Sequence, residues 1–137
     1  MKYVKLSTNW NADPNSPNEK IVIESNRVTL EFNMNYYIYD HFKEGDRGHI
    51  KFEGCHKLSY NTTNDEGYFR GQYRFNQLEL PWGQFYEVES DWENNFHKNN
   101  IVLGYRFPQI KYKHFIFFLR DNTFECIAEN FKFIGIN

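Results

Sequence analysis

The sequence predicts a mainly β chain: an antiparallel β-sandwich or half-barrel with at most one or two short helices. Three observations predict it. Apolar and polar residues alternate with period two from Arg27 to Met34, with Val28, Leu30, Phe32 and Met34 against Arg27, Thr29, Glu31 and Asn33, which is the pattern of a strand with one wet and one dry face. Phe, Tyr and Trp make up 20% of the chain, and aromatic side chains favour strands while each supplies a large area to bury. Turn-forming pairs, Ser25-Asn26 and Asp121-Asn122, separate apolar runs at hairpin spacing.

The elements follow in chain order. A short strand over Tyr3 to Ser7 precedes a loop from Asn9 to Asn18, where Pro14, Pro17, Asp13 and several Asn deny donors to a sheet and cap turns. Ile21 to Glu24 pairs with the strand starting at Arg27 through the Ser25-Asn26 turn. Tyr36 to Phe42 is aromatic without clean periodicity, Glu44 to Gly48 is a turn, and His49 to Glu53 is a strand, with Cys55 to Tyr60 continuing or pairing with it. Beyond the polar loop 61–67, strands are expected over Tyr68 to Phe75 and Gln84 to Trp92, with Pro81 outside any central ladder. Glu93 to Asn100 is the one segment where a short helix competes, weakened by its four Asn. Tyr112 to Arg120 and Thr123 to Phe133 close the chain as a long hairpin. With Asp121 and Asn122 as its two turn residues, Leu119 meets Phe124, Phe117 meets Cys126 and Phe115 meets Ala128 on a core-facing side.

A chain of 137 residues without a linker, repeat or low-complexity tract reads as one all-β domain spanning 1–137, large enough to bury a real core. Its formal charge of −2 offers no excess of cations for phosphates, so direct nucleic-acid binding is not expected. No apolar run is long enough to span a bilayer, the longest being Phe115 to Leu119, and the N-terminal residues lack the apolar core of a signal peptide, so a cytoplasmic location without membrane partners is expected. Abundant Asn, Lys and Ile suit an AT-rich bacterial gene. Cys55 and Cys126 have no metal-type spacing and are expected as two reduced, half-buried thiols.

The motifs of catalysis are missing. There is no Gly-rich phosphate cradle, His-Glu-x-x-His pair, Cys-x-x-Cys or Gly-x-Ser-x-Gly elbow, so neither catalytic residues nor a metal or other cofactor are assigned and the chain is not expected to be an enzyme. Asn61, Thr63 and Asp65 imitate a calcium loop, but Gly67 arrives one position late and Gln72 stands where a bidentate Glu belongs. The five histidines, His41, His49, His56, His97 and His114, are scattered singly. They read as structural, although a nucleophile and its base can still meet from distant positions.

What remains is a binding surface. Alternation places Glu87, Glu89 and Asp91 along one strand face, with successive carboxylates about 7 Å apart. With Trp82 and Trp92 beside them and Asp65 and Glu66 in the preceding loop, they form an acidic surface with aromatic anchors, suited to a basic protein. The structural alternative is that Arg70 and Arg74, on a strand paired with this one, neutralise the row across the ladder.

Three strings, 64–68, 82–87 and 114–128, carry a family resemblance. Asn64-Asp65-Glu66-Gly67-Tyr68, Trp82-Gly83-Gln84-Phe85-Tyr86-Glu87 and the aromatic run from His114 to Ala128, set in a small aromatic-rich β chain, resemble small bacterial immunity proteins of polymorphic toxin and contact-dependent growth inhibition systems. The likeness covers about half the chain and carries no site residue over, because such proteins diverge at the contact surface. It implies an immunity protein, or antitoxin, that neutralises a cognate toxin by blocking its active domain, a basic nuclease being one such toxin. The alternative function is a small apolar ligand-binding β-barrel protein, lipocalin-like or fatty-acid-binding-like, for which the size fits but the Gly-x-Trp start and inward arginines are absent.

Overall fold

The structure, a computed structural model, describes residues 2–61 and 83–135. The expected strand 68–75, the calcium-like loop beyond Asn61, and Asp65, Glu66, Arg70, Arg74 and Trp82 lie outside the described residues. Ten strands are described: β1 (Tyr3–Lys5), β2 (Lys20–Glu24), β3 (Arg27–Asn33), β4 (Arg47–Glu53), β5 (Lys57–Asn61), β6 (Phe85–Val88), β7 (Ile101–Val102), β8 (Lys113–Phe118), β9 (Thr123–Ala128) and β10 (Asn130–Gly135), with one helix of four residues, α1 (Trp92–Asn95). They form an antiparallel β-sandwich: a six-stranded sheet in the order β1-β6-β8-β9-β5-β7 over a four-stranded sheet in the order β10-β4-β3-β2. Among the described residues the two sheets do not close into a barrel.

Local chemistry explains the first hairpin. Ser25 takes a positive φ of 58°, and Glu24 pairs directly with Arg27, so Ser25-Asn26 is the two-residue loop. Along β3 the alternation becomes burial, with Val28, Leu30 and Phe32 inside. The loop after β1 is ordered by its own turn chemistry. Asp13 accepts hydrogen bonds from the backbone N–H groups of Asn15 (2.9 Å) and Ser16 (3.2 Å), and the Asn33 N–H donates to the Pro17 carbonyl at 2.7 Å.

The space between the sheets is filled by aromatic rings. Trp10 stacks on Phe133 at 3.8 Å and lies 5.8 Å from Phe32, while Phe52 sits 5.3 to 5.9 Å from Phe124, Phe115 and Phe85. The six-stranded sheet is buried on its other face as well, where Tyr86, Val88, Ile116, Phe118 and Ile127 are enclosed. That explains why β8 and β9 read as near-continuous apolar runs and not as half-wet strands.

Three expectations are corrected. The β8–β9 pairing runs Phe117 to Phe124 and Phe115 to Cys126, two residues away from the expected register, because Leu119 N–H donates to the Asn122 carbonyl at 2.9 Å and closes a four-residue loop. An even slip preserves the face in a period-two strand, so Phe115, Phe117, Leu119, Phe124, Cys126 and Ala128 are all buried as expected. The final strand is not continuous: β9 ends at Ala128 in one sheet and β10 begins at Asn130 in the other. The chain crosses at Glu129, whose N–H donates to the Glu53 carbonyl at 3.0 Å. Finally, the strand expected from Gln84 to Trp92 ends at Val88, because α1 begins at Trp92.

Candidate functional site

The candidate surface lies where β6 gives way to α1 and where the 103–112 loop returns to β8. Both ladder edges of β6 are taken, by β1 and by β8, so the residues directly opposite Glu87 are Val4 and Phe115. Neither is an arginine, and no edge is left for a further strand to supply one. Glu87 and Glu89 line an open cleft of about 460 Å³ together with Lys2, Tyr3 and Val4. Asp91 leaves the row: it occupies the N-cap position of α1, and its carboxylate accepts a hydrogen bond from the Asn94 side-chain amide at 2.8 Å. Glu89 and Asp91 are exposed, while Glu87 is half-buried.

Trp92, expected as an anchor, sits at the centre of a fixed aromatic group. Tyr112 meets it edge-on at 5.9 Å, His56 lies 5.9 Å away on a similar tilt, and the Arg106 guanidinium lies 5.7 Å from its ring centroid. Arg106 is held by Glu93 on α1 at 2.5 Å. The loop backbone is pinned around the same ring cluster. His56 Nδ1–H donates to the Gly104 carbonyl at 2.7 Å, Phe107 N–H donates to the Tyr112 hydroxyl at 3.1 Å, and that hydroxyl donates to the Tyr105 carbonyl at 3.3 Å.

This pinned loop holds apolar side chains in water. Ile101 (55% exposed), Val102 (60%), Tyr105 (86%) and Phe107 (46%) follow one another within a few residues. Glu93 of α1 meets this run through its ion pair with Arg106. Of the residues expected at the site, the structure brings Trp92 into this cluster and leaves Glu89 and Asp91 exposed on the segment before it; sequence reasoning did not single out Tyr105, Arg106, Phe107, Tyr112 or His56. The available signal was Tyr105-Arg106-Phe107-Pro108, an aromatic and arginine run without strand periodicity, because Tyr, Trp and Arg dominate binding hot spots.

A second constellation lies beneath. On the outer face of the central strands, Ser90 Oγ is 2.5 Å from His114 Nδ1, and His114 Nε2 is 2.7 Å from Glu125 Oε2. In the tautomer of a neutral imidazole that donates Nε2–H to Glu125, Nδ1 is the nitrogen that can accept the serine hydroxyl proton. Serine, base and orienting acid in sequence are the elements of an activated nucleophile. Here the imidazole and carboxylate are almost wholly enclosed, and Phe96 packs 5.4 Å from the imidazole.

Among the described residues no group of three or more His, Cys, Asp or Glu side chains is arranged to hold a metal ion, and no helix is long and apolar enough to cross a membrane. Taken together, fold and surface are those of an antiparallel β-sandwich whose β7–β8 connection holds aromatic side chains exposed beside Trp92. Comparison with known proteins adds no relative: no family model, curated protein or solved structure matches the chain.

Proposed function

We propose that this β-sandwich is a cytoplasmic bacterial immunity protein that acts by binding, not by turnover, and neutralises a cognate toxin by covering the toxin's active domain. The observation that carries the binding reading is the loop pinned to Trp92 through Arg106 and Tyr112, on which Tyr105 and Phe107 stand exposed, just after the exposed Ile101 and Val102 of β7. A loop already fixed in place loses little further entropy on association, and the acids exposed on the segment that leads into α1, Glu89 and Asp91, favour a basic partner. Toxins that degrade nucleic acid are often basic, because their substrates are polyanions. The toxin assignment itself rests on the family resemblance. The test is a binding titration with the C-terminal domain of a toxin encoded beside this gene. Trp92→Ala and Tyr105→Ala should each weaken binding at least about 30-fold, the size of a hot-spot loss, while Lys132→Ala, on the four-stranded sheet, changes nothing. Equal affinities for all three variants would defeat the assignment of this surface.

The hydrogen-bonded Ser90, His114 and Glu125 favour one second reading, a serine-dependent hydrolase. Its test is labelling by a fluorophosphonate. An adduct on Ser90 that disappears in His114→Gln supports it, and an unlabelled folded protein removes it.

A further inference from the structure

The four-stranded sheet ends on β2, which pairs with β3 on one side and, among the described residues, with nothing on the other. Its five residues, Lys20-Ile21-Val22-Ile23-Glu24, are all exposed or half-buried. Glu24 and Arg27 close the two-residue Ser25-Asn26 loop, and a pair that closes so short a loop is a hydrogen-bonded one. Alternation then turns the backbone groups of Lys20, Val22 and Glu24 toward β3 and leaves those of Ile21 and Ile23 pointing out of the sheet. Protected edges carry a proline, a bulge or an inward charge. β2 has an unbroken register and two inward isoleucines, opposite buried Leu30 and Val28. Ile23 is 43% exposed, and both isoleucines line an open cleft of about 640 Å³ shared with Leu58, Tyr60 and Ile101.

The strand is complementary to itself. Laid antiparallel on a second copy about Val22, it sets Lys20 opposite Glu24, Ile21 opposite Ile23 and Val22 opposite Val22. The outer face extends the match. Lys20 lies opposite Glu31 within its own sheet, and Glu24 lies opposite Arg27, which is ion-paired to Glu53 at 3.2 Å. Joining two copies therefore completes one row of alternating charge: Glu31 and Lys20, then Glu24, Arg27 and Glu53 of the second copy. The other outer strands offer no such match, since β1 and β10 carry lysine without an acid and β7 has only two residues.

We propose that β2 is a dimerisation edge whose partner is a second copy of this chain, the two β2 strands pairing antiparallel about Val22 to join the four-stranded sheets into one. Ile21 and Ile23 exchange N–H to carbonyl bonds with Ile23 and Ile21 of the second copy, and the two-fold axis makes one patch serve both chains. Backbone bonds hold the strands together, as in other strand additions to an open edge. The charges fix the register, because a slip of two residues takes Lys20 away from Glu24. The four isoleucines gather on the inward face, at the mouths of the two clefts.

The experiment is sedimentation velocity of the full chain over roughly three decades of concentration, with the urea midpoint of each variant as a check on folding. The parent forms a reversible dimer. Lys20→Glu and Glu24→Lys each set like charges opposite at both ends of the pairing and weaken the dimer at least about 10-fold. The double variant Lys20→Glu, Glu24→Lys restores opposite charges between copies and recovers most of that loss. It worsens the contacts with Glu31 and Arg27 inside each chain, so recovery comes only from the contact between copies. Val22→Cys gives a cross-linked dimer on a non-reducing gel after mild oxidation, because Val22 meets itself in a non-hydrogen-bonded pair with Cα atoms about 4.5 Å apart. Lys51→Cys, on β4, gives none. A monomer at every concentration, a dimer that the single reversals leave intact, a double variant no better than the singles, or a dimer without the Val22→Cys cross-link would each overturn the proposal.

Discussion

Replacing Phe117 by Ala removes the ring on which the two sheets meet. Phe117 is fully buried and lies 5.1 Å from Phe32 of the opposite sheet, edge-on, 5.6 Å from Phe85, and 6.3 Å from Trp10. Truncating a buried Phe costs about 3–5 kcal/mol in transfer and cavity terms, and each aromatic pair adds roughly 0.5–1.5 kcal/mol beyond area, so the upper half of that range applies here. Against a total of about 5–15 kcal/mol that is a large fraction. With a urea slope of about 2 kcal/mol per molar, the unfolding midpoint should fall by about 2 M. Tyr105→Ala, at a side chain that touches mostly water, should stay within about 0.5 kcal/mol. Equilibrium denaturation of both variants reads the difference. A Phe117→Ala variant within about 1 kcal/mol of the parent would refute the claim that this ring joins the sheets.

Other consequences follow from close packing and from charge. A methyl group at Gly48 meets Met34 Sδ at 2.4 Å, Phe133 Cε1 at 3.1 Å and Phe32 Cε2 at 3.2 Å, so Gly48→Ala should destabilise the fold by about 1–3 kcal/mol, measurable as a lowered urea midpoint at unchanged slope. The Glu31 carboxyl is held below its ordinary range, first by its hydrogen bond to His49 and then by the charges of His49, Lys20 and Arg47. A folded-state value below the unfolded one means that its contribution is present above the unfolded value and is lost as pH falls through the folded one. Urea midpoints taken from about pH 5 down to pH 3 should therefore drop less steeply in Glu31→Gln than in the parent, by a small margin because the pair is partly in water.

The parts of the fold written in local chemistry were legible. The β2–β3 hairpin needs only an alternating run and a Ser-Asn turn, and both lie within a dozen residues. The β8–β9 pair was legible in partners and faces but not in register, since register depends on whether Asp121-Asn122 or the wider Leu119-to-Asn122 loop closes the turn. That slip hid the buried relay. In the expected register His114 falls opposite Glu129, whereas in the structure it falls opposite Ile127, with Glu125 its diagonal neighbour on the same face. The crossing at Glu129 was illegible because an apolar run does not say when it changes sheet. At the site, Trp92 and its neighbouring acids stood out by residue type, but the partners that hold Trp92 in place, Arg106, Tyr112 and His56, come from distant segments that only the assembled sandwich brings together. The expected row of three acids on one strand is broken because β6 ends at Val88, before Glu89 and Asp91.

The central claim is that a basic toxin domain docks on the acidic and aromatic patch, and its most direct test is association kinetics as a function of salt. The parent and a Glu89→Lys, Asp91→Lys double variant are mixed with the toxin domain encoded beside the gene, across about 10-fold in ionic strength. Both positions are exposed, so the fold should survive the reversal. The account predicts that the parent associates quickly with a rate that falls steeply as salt rises. It predicts that the variant associates at least about 10-fold more slowly at low salt with little salt dependence. Identical rates and identical salt dependence for the two proteins would contradict it and place the partner on another face of the sandwich.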